Sequence, residues 1–281
     1  MSAIEFLGAT FQNPVLLAAG TAGFGREVQR VIALDSLGGL ITKAVTPEPR
    51  RGHPAPRVAE FRGGMLNAIG LANPGLDAVL QHELPWLAAH VKRARVIVNV
   101  AGATVDDYVC VLGRLNAAPG IVAFEINASC PNTKAGGLEF GASPTALGEL
   151  VGRCRAATSR PLIVKLSPVL PDIAAMAEVA AHEGANAVSV VNTFPGASGG
   201  RLGHAVGGVS GPALLPIGVL AVSRIAGRLD LPIIGMGGIR TGTDARRYLE
   251  AGATLVAIGT AALTDPRTPE RVVRALDRWL S

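Results

Sequence analysis

The chain has 281 residues, 49% of them hydrophobic but only 4% aromatic, with 35 glycines and a formal net charge of +5. A chain this long can bury a sizeable core, roughly three-quarters of its extended surface, while its apolar runs break within about ten residues, short of the ~20 that span a bilayer. Its arginines are scattered singly or in pairs (Arg50 with Arg51, Arg246 with Arg247), which argues against a nucleic-acid surface and suits small anionic ligands.

In chain order, strand-like apolar runs fall at 14–19, 39–43, 96–100, 121–126, 162–166, 187–191, 232–235 and 254–258. The second is followed by a proline- and glycine-rich excursion over 44–75. A connection that long in a compact domain is expected to be a functional lid or wall. Ser143 and Pro144 read as an N-cap and a first helical residue, opening a helix over 146–156. Further helices are expected at 173–182, 214–226, 244–250 and 269–280, the last gathering basic residues near its end. Eight strands alternating with helices over about 250 residues predict an α/β protein, a (β/α)8 TIM barrel forming a single domain over 1–281. The rival, a doubly wound open sheet, would need a GxGxxG after its first strand, and none is present.

Barrels place their chemistry at the C-terminal strand ends. Those ends present Lys43, Asn99, Asn127 with Cys130, Lys165, Asn192 with Thr193, Gly237 with Gly238, and Gly259 with Thr260. Turn chemistry explains asparagines and glycines at loop starts. It does not explain two lysines arriving directly after buried runs, since such charges need partners. The glycine pairs after the last two strands suit a phosphate site made of backbone N–H groups. Lys165 could hold an anion or form a Schiff base, and Lys43 could bind a carboxylate.

The stretch 121–133, IVAFEINASCPNT, runs from a buried strand into a stiff polar loop closed by Pro131. Cys130, between Ser129 and Pro131, can be read as an inert core thiol, a nucleophile or a general base. Cys110 and Cys154 fall in helix-like stretches and are better inert candidates. None of the five histidines sits at a strand end, and neither histidines nor cysteines show metal-ligand spacing, so no metal is expected. No basic n-region with an apolar core opens the chain, and the cysteines form no disulfide framework; a cytoplasmic protein is expected.

Several motifs together resemble one family, the class 1 dihydroorotate dehydrogenases, FMN-containing barrels of pyrimidine (UMP) biosynthesis. They are GxxGFG at 20–25, TKAVTxxPRxG at 42–52, NAIGLxNPG at 67–75, NxSCPN at 127–132, VKLSP at 164–168, NT at 192–193, GGxSGPA at 207–213, IGMGGI at 234–239 and IGT at 258–260. The resemblance implies an oxidoreductase that converts (S)-dihydroorotate to orotate. It makes Cys130 the catalytic base for the C5 proton, with hydride passing to one FMN per chain. It implies substrate binding by Lys43, Asn67, Ala68, Ile69, Gly70, Leu71, Asn127, Asn132, Asn192 and Thr193. For FMN it implies Ala19, Lys43, Ala44, Asn99, Asn127, Lys165, Val191, Gly211, Gly237, Gly238, Gly259 and Thr260.

After the cysteine, PNTKAGGLEFG resembles class 1B and not class 1A. Class 1B implies an iron–sulfur, FAD-containing partner subunit that passes electrons to NAD+, in a homodimer or a heterotetramer. The alternatives are a class 1A-like enzyme using fumarate, or another FMN barrel oxidoreductase acting on a related dihydropyrimidine. Two departures stand out: Ala19 occupies a position usually held by serine, and the segment 194–206 is shorter and richer in glycine than its counterparts.

Overall fold

The eight apolar runs close on themselves. The computed structural model describes residues 3–129 and 140–280, and its centre is a closed parallel barrel. The chain enters through an antiparallel hairpin, β1 (Ile4–Phe6) and β2 (Ala9–Phe11), and then supplies β3 (Val15–Leu17) and β4 (Gly39–Ile41) to the barrel. The excursion expected over 44–75 contains a second hairpin, β5 (Val58–Phe61) and β6 (Gly64–Asn67). After it, α1 (Leu76–Ala78) runs through a π turn into α2 (Leu84–His90).

The rest alternates: β7 (Arg95–Val100), α3 (Val105–Leu115), β8 (Ile121–Asn127), α4 (Pro144–Ala157), β9 (Leu162–Leu166), α5 (Ile173–His182) and β10 (Ala187–Val190). Then come β11 (Phe194–Ala197), β12 (Val206–Ser210), α6 (Leu215–Ala226), β13 (Ile233–Met236), α7 (Gly242–Glu250), β14 (Leu255–Ile258), α8 (Thr260–Thr264) and α9 (Thr268–Leu280). Barrel order is β3-β4-β7-β8-β9-β10-β13-β14, closing back on β3. All eight barrel strands coincide with the runs expected from sequence, within two residues at either end.

Local chemistry sets the helix starts. Thr104 and Thr241 each form a reciprocal capping box with the aspartate three residues on, at α3 and α7. Ser143, followed by Pro144, caps α4, and Asp172 caps α5. The helices cover the barrel's outer wall in one large apolar cluster. Among the described residues no helix is long and apolar enough to cross a membrane.

Inside the barrel, side chains stack in layers. Phe6 and Phe11 of the first hairpin meet edge to face (5.8 Å, 88°) and close the N-terminal end. Above them Leu16, Ile41, Ile97, Ala123, Ile163, Ala187, Ile234 and Leu255 form an apolar layer drawn from all eight strands. Strand residues two apart share a face, so the next layer up is Ala18, Lys43, Asn99, Glu125, Lys165, Ser189, Met236 and Ala257. One side of that layer is small or apolar and the other is polar. The site stands on it.

The polar wall is capped by a four-stranded antiparallel sheet, order β11-β12-β6-β5, that the sequence did not announce. Asn67 pairs with both Val58 and Gly208, so the sheet joins two segments far apart in the chain. The glycine-rich segment 194–206 supplies β11 and the turn that leads into β12 of this sheet.

Candidate active site

A cavity of about 740 Å³ opens at the C-terminal mouth of the barrel, roofed by the four-stranded sheet. This lies within the ~300–1,000 Å³ usual for small-molecule sites. Lys43, Asn99, Asn127, Lys165 and Asn192 converge on it, together with Ala19, Ala44, Val191 and Thr193. Its far end is walled by Gly211, Gly237, Gly238, Gly259 and Thr260. From the loop at 67–71, Asn67, Ile69 and Leu71 line the cavity. Ala68 and Gly70 do not. Ala68 packs with Leu66 and Leu202 in a separate cluster, and Gly70 sits against the His53 ring. Gly70 and Leu71 both adopt positive φ (+69° and +56°), so the chain turns here, and Ala68 and Gly70 fall outside the lining while their neighbours enter it. Cys130 and Asn132 lie outside the described residues.

The floor is a polar network. Glu125 is fully buried; it accepts hydrogen bonds from Asn99 Nδ2 (2.6 Å) and Ser189 Oγ (2.7 Å). Lys165 Nζ stands 3.9 Å from the same carboxylate, and the lysine is only 7% exposed. An ammonium held against a carboxylate is a fixed positive charge, which favours holding an anion over the uncharged amine a Schiff base requires. The Asn99 amide is equally constrained: one Nδ2 hydrogen is committed to Glu125, and its buried Oδ1 has no partner among the described residues. Ser129 Oγ, next to the end of β8, is buried and unpartnered in the same sense. At the rim Asn192 Nδ2 donates to Asn127 Oδ1 (3.4 Å), and Tyr108 Oη donates to the Asn127 carbonyl (2.8 Å). Lys43 is held below the ordinary lysine range, chiefly by burial and then by the Arg57 charge, with Glu27 acting in the opposite sense.

The glycine wall depends on backbone that other residues adopt poorly. Gly237 and Gly238 have φ of +115° and +75°. A Cβ at Gly238 would lie 2.6 Å from the Leu215 amide nitrogen at the start of α6. The left-handed conformation costs an L-residue ~1–2 kcal/mol and overpacking ~1–3 kcal/mol. Gly238→Ala should therefore lower stability by about 2–4 kcal/mol, read as a fall of several degrees in the thermal midpoint; an unchanged midpoint would show that this wall yields.

Sequence reasoning missed Glu125 and Ser189, which hold the floor without lining the cavity. It also missed Phe61, Met65 and Ser210, which line it from the sheet or its edge. For Glu125 the signal was available: it lies two residues before Asn127 on one strand, and Asn127 was already an inward-facing candidate. The cysteines separate as well. Cys154 is buried, and burial pushes its thiol up to about 12, whereas Cys110, expected to be inert in a helix, is exposed.

Comparison with known proteins agrees with this geometry. Residues 1–280 match the family model described as dihydroorotate dehydrogenase. The chain is 44% identical over 281 residues to the dihydroorotate dehydrogenase B (NAD(+)) catalytic subunit of Cutibacterium acnes, covering 98% of this chain and 92% of that protein. It is 46% identical over 270 residues to the protein of the same description from Geobacillus kaustophilus, covering 94% and 86%. The counterpart from Desulforudis audaxviator is 44% identical over 286 residues, covering 100% and 92%.

Proposed function

The chain belongs to the dihydroorotate dehydrogenase family, and on that premise we propose that it is the FMN-dependent catalytic subunit that oxidises (S)-dihydroorotate to orotate in pyrimidine biosynthesis. The observation that carries the reading is one cavity whose floor offers fixed cations and amides and whose far end is a glycine wall. A flavin mononucleotide fits those residues. The orphaned Asn99 Oδ1 offers an acceptor in the floor, Lys165 a positive charge beside it, and the wall of Gly237, Gly238, Gly259 and Thr260 room for a phosphate beside backbone N–H groups. FMN, when bound, supplies acceptance of the hydride from C6.

The chain's own groups do the rest. Lys43 pairs with the substrate carboxylate, and Asn67, Asn127, Asn132, Asn192 and Thr193 hold the ring by hydrogen bonds. Cys130 takes the C5 proton; a thiol of reference pKa ~8.5 suits a base working near neutrality. Lys165 faces the charge that builds up on reduction. Ala19 lines the cavity with a methyl group where the family usually has a serine hydroxyl. Electrons leave for NAD+ through a partner subunit carrying FAD and an iron–sulfur cluster, in a heterotetramer built on a homodimer of this chain. This rests on the PNTKAGGLEFG continuation after Cys130 and on the description its relatives carry.

The test is anaerobic. Purified protein should be yellow and should bleach when dihydroorotate is added; colourless protein, or flavin that stays oxidised, would end the proposal. Reoxidation with NAD+ plus partner subunit, set against fumarate, then separates the NAD+-linked enzyme from the class 1A-like one.

Lys43 gives the site a pH signature. Its folded-state pKa lies below the ordinary 10.5, so on raising the pH the folded protein loses that proton before the unfolded chain does. Through that window the unligated protein gains stability with pH, while the affinity for a carboxylate falls because the ammonium is lost. KM for dihydroorotate should therefore rise on the alkaline side at a pH below 10.5. Lys43→Arg, whose guanidinium stays protonated, should move that limb upward; a limb that stays in place would assign it to another group.

A further inference from the structure

We infer that Glu125 is a positioning residue for the cofactor side of the cavity: its carboxylate fixes the Asn99 amide as an acceptor, and its charge offsets the Lys165 ammonium beneath the bound flavin. The inference rests on the FMN reading above and extends it to a residue that does not line the cavity. Four adjacent strands, β7 to β10, each place one polar side chain in a single interior layer: Asn99, Glu125, Lys165 and Ser189. Asn99 and Lys165 reach the cavity, with Glu125 and Ser189 behind them.

Stability alone does not explain a carboxylate there. A buried ion pair is seldom worth more than apolar residues of the same volume, and the layer below is entirely apolar. What the carboxylate does uniquely is orient. With one Nδ2 hydrogen held at 2.6 Å by Glu125, the Asn99 amide is fixed in the orientation that leaves Oδ1 as an unpartnered acceptor for a ligand. The carboxylate at 3.9 Å from Lys165 Nζ also cancels part of the positive charge that the floor would otherwise set against a reduced, anionic flavin.

Glu125→Gln keeps the volume and removes the charge. With Lys165 uncompensated, reduced FMN should bind about tenfold more tightly relative to oxidised FMN, a rise of about 30 mV in the two-electron midpoint potential of the holoenzyme. In a Lys165→Met background the same substitution should move the potential much less, because the charge it offsets is gone. A Glu125→Gln holoenzyme that keeps its flavin at the wild-type potential would overturn the inference and leave the function standing. Wild-type protein that binds no FMN would remove both. If Glu125→Gln does not fold, Glu125→Asp carries the test by drawing the charge back one methylene: a smaller rise supports the inference, and an unchanged potential overturns it.

Discussion

Lys165→Met should slow the reduction of bound flavin by dihydroorotate about 10²–10³-fold, the usual cost of removing one preorganised group that meets developing charge. The same substitution should be destabilising, for a reason separate from catalysis. Glu125 is fully buried, and Lys165 supplies its only cation among the described residues, at 3.9 Å. That separation is too long for a hydrogen bond, so the link is coulombic, about 4 kcal/mol at an effective dielectric near 20. Removing one partner of a buried pair costs ~3–5 kcal/mol. Glu125 keeps its bonds from Asn99 and Ser189, which puts the loss near the lower end, about 3 kcal/mol, or a fall of roughly 5–10 °C in the thermal midpoint. Stopped-flow reduction and thermal unfolding measure the two effects independently. A variant that retains FMN and is reduced at the wild-type rate would take Lys165 out of the reaction, whatever its midpoint.

The barrel was legible because its strands are buried on both faces, so each reads as a continuous apolar run with no alternation to decipher. The roof was not. Strands β5, β11 and β12 read VAEF, FPGA and VGGVS, all largely exposed or half-buried and the last two rich in glycine, and they gain their strand character only by pairing. That pairing brings residues 64–67 against 206–210, and no local pattern announces a partner so distant.

The same contrast runs through the site. Lys43, Asn99, Asn127 and Lys165 were found because each follows an apolar run at a strand end, which fixes both height and facing in a barrel. Glu125 shares the layer of Lys43, Asn99 and Lys165 but was passed over, because its strand runs on to Asn127 and that strand end drew the attention. Ala68 and Gly70 entered as part of a continuous motif, of which only Asn67, Ile69 and Leu71 line the cavity.

Cys130→Ala should leave flavin bound and slow its reduction by dihydroorotate about 10²–10⁴-fold, the range that a positioned general base supplies. The described residues around the cavity support giving that part to a group on the segment after β8. Among the described residues no histidine lines the cavity. Among the same residues two carboxylates do: Asp265, which accepts hydrogen bonds from Arg267 and Arg271, and Glu60, exposed on the roofing sheet. Glu125 is turned to Asn99, Ser189 and Lys165 behind the floor. The two lysines, as ammonium groups, have no lone pair with which to take a proton.

The chain next to the cysteine is anchored beside the cavity: Asn127 lines it, and Gly141 N donates to the Ala128 carbonyl at 2.8 Å where the chain returns. The decisive measurement is the pH dependence of the reductive half-reaction. In the wild-type enzyme the rate should rise with pH as the thiol loses its proton, whereas Cys130→Ser should be slower at neutral pH and lose that limb. A Cys130→Ala enzyme reduced as fast as wild type, with the same pH profile, would assign the proton to another group.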